Sequence, residues 1–297
     1  MDNKPTLNVW KGKAMAEANP KKLLENKFLG GLVVPIAIVL VGALIIVGVT
    51  KMLSTERSYK DLVREIQSKT FGNRWVAAYE LSKVISSSQV PAEEVPWLVE
   101  NLTGVYDDAK DPRTRDFIVV AVGALKSEAG LDLLGRSLDD LDKNVKFHGL
   151  VALGNYPLGT KINNEKILSF LESEDFALQQ AAILVAGTHK MNAAVPRLVG
   201  LLTSDNTGIR YAAASALIPF KNQAALPTLK EILLAAGAKN ISGISLPEMT
   251  GLKLSLINAL QKNNWSDLNE TLIAVVNNEQ NAKVISEARS ALNQLKK

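Results

Sequence analysis

Cysteine is absent from the 297 residues, which removes disulfide staples, thiolate zinc sites and cysteine nucleophiles together. Histidine is nearly absent. His148 and His189 stand alone and far apart, which rules out a histidine-rich metal centre. The short signatures of metalloproteases, serine hydrolases and nucleotide-binding loops are missing as well. Asp107, Asp108 and Asp111 cluster in sequence, but without the spacing of a calcium loop they read as a solvated turn. The expectation is a chain that is not an enzyme, with no catalytic residue, cofactor site, metal site or small-molecule substrate.

Charge is missing over one long interval and concentrated next to it. Residues 28–50 read FLGGLVVPIAIVLVGALIIVGVT, 23 positions without a charge, fenced by Lys27 and Lys51. A helix of that length rises roughly 35 Å, more than the hydrocarbon thickness of a bilayer. The run is too long and starts too late for a cleaved leader, and it is apolar on every face. It therefore predicts a single transmembrane helix at 28–50 after a basic tail, 1–27, in which six lysines face three carboxylates. The remainder, 51–297, carries 28 basic and 27 acidic residues, so the pI near 9.0 belongs to the tail. A near-neutral body argues against nucleic acid as a partner. Basic residues within twenty positions of the span balance on the two sides. A short tail would nevertheless have to be exported whole, whereas long folded domains cross largely regardless of charge. The expectation is a bacterial inner membrane with the N-terminus cytoplasmic, the body on the outer side, and 51–57 as a short connector.

What the rest contains in abundance is a repeat. Small or apolar residues recur at offsets of three, four and seven from anchors at 74, 118, 146, 179, 210, 253 and 285. The spacings are 44, 28, 33, 31, 43 and 32, a unit near thirty residues with two insertions. Each such helix has a partner in front of it. Val95-Pro96-Trp97-Leu98, Val195-Pro196-Arg197-Leu198 and Leu226-Pro227-Thr228-Leu229 place Pro in a first helical turn, where its missing N–H costs nothing. Strand signals are nearly absent. The fold class is all-α, an alpha-solenoid of about seven helical hairpins over 58–297, each stacking on its neighbours because it cannot bury both faces alone.

The segment from Val195 through Ser204-Asp205 to Arg210 and the alanine-rich run to Leu217 resembles a HEAT repeat of the short bacterial kind, also found in phycobilisome-lyase-like proteins. In that family an acidic turn residue and a basic residue early in the second helix form a ladder between units. Asp205 and Arg210 match it, while Asp142 with Lys146 and Glu174 with Gln179 match in part. The resemblance implies a fold and little about chemistry. Joined to the predicted span, it implies a membrane-anchored scaffold or adaptor that docks a protein partner, a membrane or envelope complex such as a transporter. The alternative it implies is a phycobilin-lyase-like enzyme or chaperone. A HEAT-like DNA-repair module is disfavoured by the neutral body and the span.

Two surfaces are candidates for docking. Bulky residues at offsets one and five of the second helices, among them Trp75, Tyr79, Phe147 and Tyr211, predict an aromatic groove along one face. The two insertions, 103–113 and 235–250, fall between the first and second helix of their units and would emerge on one edge of the stack. They offer Tyr106 from the first, and Lys239, Ile241, Ile244 and Leu246 from the second, to a partner.

Overall fold

The structure is a computed structural model, and it describes residues 58–68, 74–87, 90–235 and 244–295. The predicted tail, span and connector all lie outside the described residues. Among the described residues no helix is long and apolar enough to cross a membrane.

Among the described residues, fourteen α-helices follow one another in seven antiparallel pairs. The first four pairs are α1 (Tyr59–Gln67) with α2 (Arg74–Ser87), α3 (Val95–Asp108) with α4 (Pro112–Leu125), α5 (Leu131–Ser137) with α6 (Lys143–Gly154), and α7 (Asn164–Phe170) with α8 (Phe176–Thr188). The last three are α9 (Val195–Leu201) with α10 (Thr207–Leu217), α11 (Leu226–Leu234) with α12 (Leu246–Lys262), and α13 (Asn269–Asn278) with α14 (Ala282–Leu295). The repeat read from the sequence is this hairpin.

Capping explains where the second helices begin. Asp111, Asp142, Asp175 and Asn206 each stand in extended backbone before α4, α6, α8 and α10, and each side chain accepts from the first free amides. That satisfies donors a helix start leaves orphaned. Ser245 and Glu248 do the same for α12 as a capping box. Early in the second helix, a polar side chain reaches back and closes the end of the first. Arg74 Nε donates to Ile66 O at 2.8 Å, Gln179 Nε2 to Leu171 O at 2.7 Å, and Arg210 Nη1 to Ser204 O at 2.8 Å. Arg210 thus serves carbonyls of its own unit instead of the Asp205 carboxylate that the family ladder implies.

The second unit corrects the sequence register. Arg115, four residues after its cap Asp111, makes the same closing bond, to Ala109 O at 2.9 Å. The anchor is therefore Arg115, and Ile118 is the first buried position after it. The two frames look alike because a shift of three residues on a 3.6-residue helix stays on the same face. The extra residues of the first insertion prolong a helix and form no projecting loop. Thr103 to Asp108 continue α3 as helix, and only Ala109, Lys110 and Asp111 form the turn. The second insertion covers the connection between α11 and α12 and the first five residues of α12, with 236–243 outside the described residues.

Packing is carried by one layer. The second helices α2, α4, α6, α8 and α10 lie against one another in succession, while the short first helices mostly touch their own partners. Offsets three and four are buried all along it: Ala77 and Ala78, Ile118 and Val119, Ala182 and Ile183, Ala213 and Ala214, Leu256 and Ile257. Three glycines set the approach. Gly123, Gly154 and Gly187 occupy one position in three successive second helices, and each faces a residue of the next: Ala152, Val185 and Ala216. A Cβ on Gly123 would meet the Ala152 Cβ at 2.6 Å. In α10 the corresponding residue is Ile218, and there α12 packs on the turn Ile218–Phe220 rather than closing flush. The second helices thus form the closely packed inner layer of the stack.

The two edges differ in charge because helix starts and helix ends gather there. The turns leading into α4, α6, α8 and α10 carry Asp111, Asp139, Asp140, Asp142, Asp175 and Asp205, joined by Glu172 and Glu174, against Lys110 and Lys143. Cations of neighbouring units pair with several of these acids. Arg115 Nε meets Asp140 Oδ2 at 2.7 Å, Arg197 Nε meets Glu172 Oε1 at 2.7 Å, and Lys166 pairs with Asp139.

Candidate functional site

The inner layer holds a groove of about 820 Å³. Its floor and walls come from α6, α8, α10 and the end of α12: Phe147 and Val151, Leu184, Ala212 and Ala216, and Ala259. The loop after α6 adds Pro157 and Leu158, and the turn after α10 adds Pro219. The groove exists because of two local features. Small residues at the inter-helix contacts keep the floor low, and Ile218 in place of a glycine holds α12 off α10. Leu184 and Leu158 are 53% and 59% exposed, a large open area for leucines in the middle of a stack. Lys190 and Lys262 are the charged residues on the lining, and no carboxylate joins them. The surface is apolar with two lysines on its lining, suited to a helix or extended segment that buries an apolar face.

The residues singled out from the sequence scatter over several environments. Phe147 lines the groove, half-buried, its ring centroid 5.2 Å from that of His148. Trp75 and Tyr79 belong to a separate aromatic patch at the start of the stack. Tyr79 is 42% exposed and 5.1 Å from the Phe117 ring, and the Arg113 guanidinium stands 4.9 Å from the centre of the Trp75 ring. Two tyrosines are corrected outright as contact residues. Tyr211 is 2% exposed and donates to Glu231 Oε1 at 2.6 Å. Burial and that carboxylate push its hydroxyl up to about 12. Tyr106 is 8% exposed and donates to Asp140 Oδ2 at 2.7 Å. Both rings are packing elements between units, because their helical faces point at a neighbouring hairpin.

Of the second insertion, Ile244 packs against the core and Leu246 opens α12 at 55% exposure. Lys239 and Ile241 lie outside the described residues. With Thr103 to Asp108 helical, the case for a docking edge built from two projecting loops loses its first half.

Each histidine ring has a hydrogen-bond partner. His189 Nε2 lies 2.9 Å from Leu153 O, and His148 Nδ1 lies 2.6 Å from Asp116 Oδ1. The Asp116 contact holds the His148 imidazole above its ordinary value against the opposing pull of burial. Among the described residues, no group of three or more His, Asp or Glu side chains is arranged to hold a metal.

Sequence reasoning missed Val151, Leu158, Pro219, Lys190 and Lys262 as one surface. The offset-five rule that picked out Tyr79 also reaches Val151 and Leu184, so part of the signal was present. The loop and turn contributions had no periodicity to reveal them.

With this geometry in view, comparisons with known proteins agree on the repeat. The HEAT repeats family matches residues 164–241, α7 through the start of the second insertion. No curated protein matches the chain. Among solved structures, the Escherichia coli protein YibA aligns over 96% of this chain and 100% of its own, at 13% identity and a TM-score of 0.52. The complex of CpcE and CpcF of phycocyanin lyase from Nostoc sp. PCC7120 aligns over 80% of this chain and 95% of its own, at 14% identity and a TM-score of 0.55. At such identities the likeness is one of fold alone. Residues 164–241 match HEAT repeats, and the described residues form an all-helical repeat solenoid.

Proposed function

We propose that this chain is a membrane-anchored, non-catalytic docking scaffold whose inner groove takes an apolar segment of a protein partner. The observation that carries it is the open apolar groove, with exposed Leu184 and Leu158 and half-buried Phe147 on one surface. Apolar side chains left open in a repeat stack are what a partner's helix covers. The uncharged run 28–50 supports the anchor, and tethering raises the effective concentration of the body for other membrane components. The partner is a membrane protein complex, such as a transporter, of the bacterial inner membrane, reached from the outer side.

Affinity purification from mild detergent, comparing the parent with Leu184→Glu, tests the groove. The leucine is exposed, so the fold is retained, while a charge on the apolar floor should weaken association at least ~10-fold. Unchanged capture by Leu184→Glu would refute the groove. Carbonate extraction tests the anchor separately: the full chain should stay with membranes, and a fragment from Ser58 should be released and helical.

A further inference from the structure

Negative charge is missing from the walls of the groove. Residues 176–230 contain a single carboxylate, Asp205, and it stands in the turn before α10. The four second helices that build the groove, α6, α8, α10 and α12, contain only Glu248. That residue opens α12, where it accepts from the Ser245 amide at 2.8 Å and from the Ser245 hydroxyl at 2.6 Å. Second helices elsewhere in the stack differ: α2 carries Glu80, α4 Asp116 and α14 Glu287.

The two charges on the lining are therefore unopposed. Lys190 follows α8 and Lys262 ends α12, both exposed and both on the side of the groove where second helices end. Among the described residues neither forms an ion pair. Asp267 and Glu270, the next carboxylates after Lys262, stand off the lining, and Asp267 accepts from Gln223 Nε2 at 2.5 Å. Positive potential along one wall of an apolar floor, with no acid to cancel it, favours an occupant with an anionic edge.

The lining also decides the backbone form of that occupant. Its floor is made of side chains on helices whose backbone groups already bond one another. Of its neutral polar side chains, Ser215 donates to Tyr211 O at 2.7 Å and Asn263 to Ala259 O at 2.8 Å. An extended strand laid there would leave most of its own amides and carbonyls without partners. A helix satisfies its backbone internally and offers the floor only side chains. Its width of about 10 Å also suits an open groove in which Leu184 is 53% exposed, where a single acyl chain would leave the walls wet.

We propose that the groove takes an amphipathic helix whose apolar face is flanked by carboxylates, its acidic side turned to Lys190 and Lys262. That occupant rests on reading the groove as a docking site and adds the chemistry of the segment that fills it. Apolar residues on one helical face would cover Phe147, Val151, Leu184 and Ala216. Glu or Asp beside that stripe would stand against the lysine wall.

The unit Ser58–Lys297 has its own contiguous core, so a fragment of those residues is titrated with three fluorescent peptides and followed by anisotropy. The peptides are stapled helices of about 14 residues, roughly 20 Å long. They share one leucine stripe and carry Glu, Gln or Lys along one flank. The Glu peptide should bind about 10-fold tighter than the Gln peptide at about 50 mM salt, and the Lys peptide weakest, with the gap closing near ~500 mM. In Lys190→Glu/Lys262→Glu the order should invert, with the Lys peptide tightest. Lys190 has a left-handed backbone, with φ of 50°. If the pair melts early, Lys262→Glu alone replaces it and should narrow the gap between the Glu and Lys peptides. Equal affinity for all three peptides, or an unchanged order in the reversed protein, would overturn the acidic flank while the groove reading stands. Binding of none of them, or full binding of the Glu peptide to Leu184→Glu, would overturn the groove reading and the acidic helix with it. Tighter binding of oleate than of the Glu peptide would make an anionic amphiphile the occupant and overturn the helix.

Discussion

Gly187 and Ala216 meet across two neighbouring second helices so closely that a Cβ on the glycine would stand 2.9 Å from both the Cα and the Cβ of the alanine. Backbone lies behind that contact, so relief requires the helices to part. Gly187→Ala should therefore destabilise the protein by about 1–3 kcal/mol even though alanine is the better helix former. Gly104 sits in α3 with nothing near its missing Cβ, and Gly104→Ala should stabilise by about 0.5–1 kcal/mol. Urea unfolding of both variants checks the pair. Opposite signs are expected, and a common sign would mean that propensity rather than approach decides.

The buried face of α10 gives a second test. Ala213 is fully buried, so Ala213→Asp places a carboxylate where only apolar neighbours wait. An unpaired buried charge should cost about 3 kcal/mol or more. Because repeats stabilise mainly their neighbours, hydrogen exchange should rise most in α7 through α12 and least in α1 and α2.

Lys253 and Glu279 form a buried bridge between the last two units, with Nζ at 2.5 Å from Oε2 and side chains 4% and 11% exposed. The same ammonium donates to Ala235 O at 2.7 Å. Burial drives the Glu279 carboxyl up, but the bonds from Lys253 and two backbone amides win and hold it below its ordinary value. Removing one partner leaves the other charge stranded, so Lys253→Met should cost about 3–5 kcal/mol. The double variant Lys253→Met/Glu279→Gln should recover more than half of that loss in thermal unfolding.

His148 and Asp116 link α6 to α4 and make stability depend on pH. The imidazole is held above its ordinary 6.5, first by the Asp116 hydrogen bond, with burial opposing. A group whose folded value is raised gives its full contribution below the unfolded value and loses it as pH rises through the folded one. The melting temperature should thus fall between pH 6 and pH 9. Asp116→Asn should be less stable than the parent at pH 6 and show a flatter profile. A parallel profile for the variant would mean that another group sets the slope.

How much of this was legible in the residues follows from the range of each interaction. The hairpin repeat was legible because helical periodicity and the Pro-bearing first turns are local, and every unit repeats them. The pairing of helices along the described residues came through for the same reason. The register of the second unit was not legible, since Ile118 and Arg115 head equally good apolar faces. Only the bond from Arg115 to Ala109 O distinguishes them. The first insertion was misread because thirty-residue bookkeeping counts extra residues without saying whether they prolong a helix or a loop.

The sequence by itself determined a stack of helical hairpins along the described residues, the Pro-bearing first turns of three first helices, and an uncharged run long enough to span a bilayer. These depend on patterns within about ten residues, where the 3.6-residue period and capping chemistry act. Tertiary structure decided which side chains are buried and which stay open. It buried Tyr106 and Tyr211 between units and left Leu184 and Leu158 open. Each of those outcomes depends on how close one hairpin comes to the next. That distance is fixed by contacts such as Gly123 against Ala152, between residues that no local pattern connects.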